Sequence, residues 1–450
     1  MRCINVFFSK LMSLTSIDYH IGFTLLFRMS SIILGGLLIL MIPFKFSSAE
    51  QGYYFTFSSL IGLQVFFELG FNYVIVQVVG HEMANVYINS HGKLSGNLTN
   101  VNRIYSLVPM LKKWYSLISI VFFISVFSIG IYFFERNGHL PLMEWLPAWA
   151  LVVLFSAINL FISPFLAMHE GMGFVGQIAK LRLIQSLLGY FLLFGLLMSN
   201  VGLVAIPAIS GVMAICSIYW IMIRNKELLF NYGVIDFSGN NSISWLKEIV
   251  PFQWRIALSW LSGYFIFQLF NPMLFAHQGA VEAGRVGLSL AIYGAMLSVS
   301  LSWINAKSPV MANLIADKKK VELNNLFISL FIKSSVLNIL MSVVFLFLVF
   351  FIKFYFFNLS QRISDFNILL VLSFISIINH SVLSMAVYMR AHKEEPLLWN
   401  SVVVGVISLP LIFYFSKISS FYTIASYGAV MTFICFPWCF ALFRRYFSKK

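Results

Sequence analysis

Glu50-Gln51-Gly52-Tyr53-Tyr54-Phe55 opens a long apolar run, and Glu282-Ala283-Gly284-Arg285-Val286-Gly287 makes the same Glu-x-Gly start about half a chain later. Each stretch follows a first hydrophobic segment, then a proline (Pro43 or Pro272), then a short polar hop. Such a pair predicts a chain made of two related halves. A second correspondence agrees: Ala167-Met168-His169-Glu170-Gly171 resembles Met389-Arg390-Ala391-His392-Lys393 in both position and small-residue character.

Composition limits what those halves can be. The chain has 450 residues, 60% of them hydrophobic and 10% charged, with a mean hydropathy of +0.88. Soluble domains carry about 25% charged residues, so a water-soluble fold is excluded. Apolar runs near the ~20 residues that cross a bilayer recur along the sequence. In hydrocarbon every backbone group needs an internal partner, which leaves helix bundles or closed barrels. The runs lack the alternation of barrel strands, so the expected class is an all-α polytopic membrane protein.

Twelve spans are expected, at 20–42, 52–80, 115–134, 146–168, 180–198, 201–223, 250–275, 283–305, 328–352, 366–389, 397–416 and 422–443. With the N-terminus inside, 23 of the 30 Lys and Arg residues fall on the inner side and six on the outer. Positive charge collects on the cytoplasmic face, so both termini are expected in the cytoplasm. This bias also accounts for the net charge of +14 without nucleic acid. Residues 1–223 form an expected N-terminal lobe of six spans and 250–450 a C-terminal lobe. Between them, 224–249, with Asn231, Gly239, Asn240 and Asn241, reads as a cytoplasmic linker. Repeats of six spans share one orientation and face each other about an axis along the membrane normal, as in two-lobed transporters. No signal peptide is expected at the N-terminus, and the four cysteines suggest neither a disulfide framework nor zinc.

The text at 47–77, Ser-Ser-Ala-Glu-Gln-Gly-Tyr-Tyr-Phe-Thr-Phe with Phe-Glu-Leu-Gly-Phe-Asn and Val-Gln downstream, resembles the N-terminal signature of bacterial polysaccharide exporters and flippases. These belong to the multidrug/oligosaccharidyl-lipid/polysaccharide exporter superfamily. Glu50, Gly52 and Tyr53 correspond to the residues opening the second helix of that signature, and Leu69, Gly70 and Phe71 to the step closing it. Arg285 departs from the pattern, since an aromatic residue is usual there. The resemblance is best to the O-antigen flippases. It implies a MATE-like transporter fold in a bacterial inner membrane and a cargo of undecaprenyl-pyrophosphate-linked oligosaccharide, carried from the cytoplasmic to the periplasmic leaflet. Other polysaccharide assembly proteins would be its partners. No cofactor is implied, although coupling to a proton or sodium gradient is open.

Charge inside a membrane is expensive and marks function or pairing. Arg28 and Arg255 lie 15 and 17 residues before Pro43 and Pro272, near-equivalent places in the two halves. Guanidinium binds phosphate oxygens in a bidentate manner, so both are candidates for a diphosphate site. Snorkelling to the headgroups is the other reading. Lys180, Arg182 and Lys307 flank the inner ends of spans and either draw the diphosphate in or anchor the helices. Glu68 is a candidate for an ion pair with Arg28 or for proton coupling. Asn72 and Gln77 follow it on a partly polar stretch suited to sugar hydroxyls, or to holding helices together. His380 reads as a packing group. Gly171-Met172-Gly173-Phe174-Val175-Gly176 matches G-x-G-x-x-G but follows no strand, so a loop between helices is expected.

Two rival functions stay open. One is a drug or ion antiporter of the multidrug branch, which favours acids at the lobe centres. The other is an enzyme, a membrane-embedded polysaccharide polymerase or glycosyltransferase. That class needs a sizeable catalytic loop outside, and the expected outside connections are short.

Overall fold

The computed structural model describes residues 19–89, 93–224, 243, 249–392 and 394–448. Arg2, Cys3, Lys10, and Asn231 and Gly239–Asn241 of the expected linker lie outside that set. In chain order the helices begin with α1 (Tyr19–Lys45), α2 (Ser48–Ile61), α3 (Val65–Glu68) and α4 (Phe71–Glu82). A hairpin of β1 (Val86–Ile88) and β2 (Leu94–Gly96) follows, paired antiparallel with Tyr87 opposite Ser95. Next come α5 (Leu98–Asn137), α6 (Leu142–Gly171), α7 (Val175–Met198) and α8 (Ala208–Tyr219). The C-terminal half has α9 (Val250–Phe267), α10 (Phe270–Gln278), α11 (Ala280–Ala306), α12 (Ser308–Ala316), α13 (Lys320–Tyr355) and α14 (Phe357–Ser360). It ends with α15 (Phe366–Arg390), α16 (Leu398–Ser416), α17 (Ser420–Val430) and α18 (Phe436–Ser448).

Ten of the described helices are long and apolar enough to cross a membrane, and an eleventh span is the bent pair Ser48–Glu68 and Phe71–Asn85. The chain is therefore an all-α, multi-pass membrane protein. The remaining expected span, 250–275, is divided between α9 and α10 by a break at Gln268 and Leu269. Leu69-Gly70-Phe71 also differs from expectation. It does not close the second helix but bends it by 43°. Leu69 and Gly70 are both left-handed, with φ of 48° and 68°, and α4 resumes at once. A left-handed leucine costs roughly 1–2 kcal/mol, a strain that the neighbouring packing has to outweigh. The G-x-G-x-x-G match is the turn between α6 and α7, with Gly173 at φ +92°, and no nucleotide-binding strand precedes it.

Packing groups the chain into two units. One holds the residues up to Gly35 with Gln64–Ile131 and Leu142–Ala257; the other holds Gly36–Leu63, Tyr132–Pro141 and everything from Leu258 onward. The expected lobes 1–223 and 250–450 follow chain order, whereas in this grouping α2 packs with the C-terminal helices.

In the first unit, α4 lies on α6, and α7 and α8 pack together. Glu82, at the end of α4, is buried and accepts hydrogen bonds from Asn100 Nδ2 at 2.6 Å and Arg103 Nε at 2.9 Å. That ion pair fastens the end of α4 to the start of α5. Trp149 of α6 is buried over Gly130 of α5, where any side chain would overlap its indole.

The second unit is organised by the crossing of α2 and α11. Ser47 and Glu50 cap α2 reciprocally, Glu50 N donating to Ser47 Oγ at 3.1 Å and Ser47 N to Glu50 Oε2 at 2.7 Å. One turn into the helix, a Cβ on Gly52 would overlap the carbonyl of Ala280. A Cβ on Gly284 would lie 2.8 Å from Gly52 N, and one on Gly287 would lie 2.6 Å from the ring of Phe55. The two Glu-x-Gly stretches are thus in contact with each other. Gln51 ties the crossing, its Nε2 donating to the carbonyls of Gly284 and Arg362, each at 2.9 Å. Burial pushes the Arg362 guanidinium below its usual value, and the Glu50 carboxylate pulls the other way. Tyr53 stacks on Phe134 at 5.1 Å and meets Phe275 edge-on at 5.0 Å. Further along this unit, α13 and α15 are joined by Asn338 and Ser376, which exchange hydrogen bonds at 3.3 and 3.0 Å. Buried His380 contacts Ser334 and Ser335, the packing role expected of it.

Helix association in lipid depends on close packing and interhelical hydrogen bonds, because lipid tails are as apolar as the side chains. Replacing Gly52 by Ala should therefore cost about 3 kcal/mol or more, through overpacking against backbone that cannot move aside. Gly195→Ala, where nothing lies within 4 Å, should be neutral or slightly stabilising. Thermal unfolding of the purified variants in detergent checks the pair, and equal midpoints would refute the seam's importance.

Candidate functional site

The broken second span sets up a cavity in the first unit. After the left-handed step at Leu69 and Gly70, α4 starts with Asn72 and Tyr73 turned towards α6 and α7. On α6 the residues facing the same space are Asn159, Ser163, Leu166 and Glu170, on one helical stripe. On α7 they are Arg182, Gln185, Ser186 and Tyr190, and on α8 Ile209, Met213 and Ser217, again at helical spacing. Phe27 and Ser31 of α1 and Gln64 complete the lining. The cavity volume is about 690 Å³, within the ~300–1,000 Å³ typical of ligand pockets.

Within this space the amides of Asn72, Asn159 and Gln185 turn their NH2 groups to the protein. Asn72 Nδ2 donates to Glu68 Oε1 at 2.8 Å. Asn159 Nδ2 donates to the Ser210 carbonyl at 2.9 Å. Gln185 Nε2 donates to the Met213 carbonyl at 3.1 Å and to Ser217 Oγ at 2.8 Å. Two polar atoms of the lining, Asn72 Oδ1 and Ser186 Oγ, are buried without a hydrogen-bond partner. Buried polar groups are normally paired; these two are left unpaired, as are Gln51 Oε1, Asn271 Oδ1 and Asn379 Oδ1 elsewhere in the chain. Arg182 pairs with Glu170 at 2.6 Å, which leaves that part of the wall without net charge.

Of the residues singled out in the sequence, Asn72 and Arg182 line the cavity, and Glu68 stands behind Asn72. Glu68 is not paired with Arg28; its partners are Asn72 and Gln64. Arg28 is exposed on α1 between the lining residues Phe27 and Ser31, and is not itself part of the lining. Among the described residues it has no ion-pair partner. Lys180 is exposed, with Nζ 5.7 Å from the ring centroid of Phe23. Gln77 is exposed away from the cavity, and Arg255 is exposed with its guanidinium 5.4 Å from the Trp254 ring. Lys307 is exposed at the joint of α11 and α12, in the second unit.

The sequence reading missed Asn159, Gln185, Ser186 and the Glu170 partner of Arg182. The available signal was the spacing of polar residues within apolar helices, at 159, 163 and 170 and at 182, 185 and 186. It also missed Glu82, the buried acid, in favour of Glu68. Among the described residues no group of three or more His, Cys, Asp or Glu side chains could hold a metal ion.

No protein-family model and no curated protein matches the sequence. Solved structures do. A ligand complex of the MATE multidrug transporter DinF-BH matches at a TM-score of 0.55 and 13% identity, over 95% of each chain. The inward-facing conformation of a multidrug resistance MATE family transporter of the MOP superfamily matches at 0.54 and 12% identity, over 92% of this chain and 98% of the other. An outward-facing conformation of such a transporter matches at 0.52 and 11% identity, over 96% of each. At identities this low the likeness is one of fold: the chain is a multi-pass, all-α membrane protein folded like the MATE transporters of the MOP superfamily.

Proposed function

We propose that this chain is a membrane transporter working by alternating access, and that its cargo is an undecaprenyl-diphosphate-linked oligosaccharide passed from the cytoplasmic to the periplasmic leaflet. The observation that carries the reading is the cavity among the membrane-spanning helices of the first unit, where amides, hydroxyls and a compensated ion pair stand among apolar and aromatic side chains. Polar side chains inside a bundle are costly unless they serve a path or a ligand. The resemblance at 47–77 to polysaccharide flippases supports the cargo, and the fold shared with MATE transporters supports the mode of action.

In this mechanism no bond is made or broken. The sugars and diphosphate cross within a hydrated cavity while the polyprenyl tail stays in lipid. Arg28, Arg255 and Lys180 are among the exposed cations of the first unit and are the ones proposed to meet the diphosphate, since Arg182 is already paired with Glu170. The two lobes, 1–223 and 250–450, alternate in opening to each side, joined through the cytoplasmic linker 224–249, with both termini in the cytoplasm. A second reading, a drug or ion antiporter, is favoured by one observation: Glu68 sits at the bend of the second span, hydrogen-bonded to Asn72 and Gln64 and near the Tyr115 hydroxyl. A carboxylate so placed can take up a proton.

In a strain whose surface glycan depends on this chain, Arg28→Ala should cut surface glycan roughly tenfold or more, the effect of losing one charged contact of ~1.5–3 kcal/mol. The variant should still insert, and Arg28→Lys should keep part of the activity. Unimpaired glycan in the Ala strain would remove Arg28 from the mechanism. Glu68→Gln tests coupling: export that persists but no longer responds to collapse of the proton gradient assigns coupling to Glu68. Reporter fusions after residues 100, 236 and 318 should all report cytoplasm, and one external signal would overturn the orientation.

A further inference from the structure

We infer that the cavity of the first unit is a subsite for a neutral saccharide and excludes the diphosphate. This rests on the flippase reading above and specifies which part of the cargo the cavity holds. Donors and acceptors in the wall decide which part of the cargo fits. Asn72, Asn159 and Gln185 each commit their NH2 group to a protein acceptor. Among the described residues no protein donor reaches the carbonyl oxygens of Asn159 and Gln185, and Asn72 Oδ1 is buried without any partner. The amide wall therefore presents acceptors.

A ligand that satisfies an acceptor wall must donate. Sugar hydroxyls donate; the oxygens of an ionised diphosphate only accept, and would be set against those carbonyls at the desolvation cost of an unpaired buried group. Ser186, 8% exposed and with Oγ buried and unpartnered, serves a hydroxyl in either direction once its side chain rotates into the cavity. The cation in the wall, Arg182, is held by Glu170 at 2.6 Å, so the local charge gives a diphosphate no net attraction. Tyr190 adds an aromatic face with a polar tip for the apolar side of a sugar ring. The diphosphate is left to exposed cations outside the lining, Arg28 among them.

The test compares the affinities of the full-length protein, in lipid nanodiscs, for undecaprenyl diphosphate and for an undecaprenyl-diphosphate-linked neutral disaccharide. The glycolipid is expected to bind about tenfold more tightly, one or two hydroxyl contacts' worth. Ser186→Leu, which fills the cavity, and Asn159→Leu should erase that difference while leaving the affinity for undecaprenyl diphosphate unchanged, which also shows that they fold. Should either variant lose both lipids, Ser186→Ala replaces it, and free disaccharide must then compete with the glycolipid but not with undecaprenyl diphosphate on the unaltered protein. Equal affinity for the two lipids overturns the saccharide subsite and leaves the flippase reading standing. A sugar-dependent gain that survives in correctly folded variants overturns it as well, by placing the sugar elsewhere. Failure to bind either lipid overturns the flippase reading and this inference together.

Discussion

The contact between Gly52 and Gly284 is the constraint on which the second unit depends. Two helices can cross with backbone against backbone only where neither carries a side chain, and in lipid this closeness replaces the hydrophobic drive available in water. Once α2 and α11 touch, Gln51 reaches two backbone carbonyls, and Phe55 lies over Gly287. Tyr53 enters the aromatic group with Phe134 and Phe275, pairs worth about 0.5–1.5 kcal/mol each beyond their buried area. The capping box at Ser47 and Glu50 fixes where α2 begins, and so which residue of the helix meets the partner.

Where the helices are not held by glycine, hydrogen-bonded polar pairs join them. Asn338 with Ser376, and His380 with Ser334 and Ser335, each bridge α13 and α15. Such bonds average below about 1 kcal/mol in membranes, yet leaving them unmade would expose polar groups to hydrocarbon. The cavity of the first unit lies beside the bend of the second span. There Asn72 Oδ1 and Ser186 Oγ are buried and unpaired, and the helix that presents Asn72 restarts after two left-handed residues. Strain and unsatisfied polarity occur together at the place with room for a ligand, as expected of functional sites.

Much of the architecture was legible in the chain. Hydrocarbon forbids unpaired backbone, so apolar length translates directly into helices, and eleven of the expected spans have counterparts in the structure. The Glu-x-Gly pair was legible as a repeated feature but not as a contact, because nothing in a one-dimensional pattern says that two similar stretches touch. The site was less legible. Asn72 and Arg182 were found because they stand out in apolar surroundings, but Asn159, Gln185 and Ser186 look like ordinary helix-packing polar groups until their neighbours are known. Arg28 is conspicuous as a charge within an apolar segment, yet its helix turns it out of the lining while its neighbours Phe27 and Ser31 take part.

The sequence by itself determined the solvent this protein folds in and hence its class, since composition and run length decide whether backbone must be paired within helices. It also marked the two Glu-x-Gly stretches at which long apolar helices begin. Only the tertiary structure decided that Glu50-Gln51-Gly52 and Glu282-Ala283-Gly284 pack on one another, that Leu69-Gly70 bends a span rather than ending it, and that Arg182 is neutralised by Glu170. Each of these depends on distances between residues far apart in the chain or on backbone angles. Residue identity constrains such angles and distances only weakly until the helices are packed.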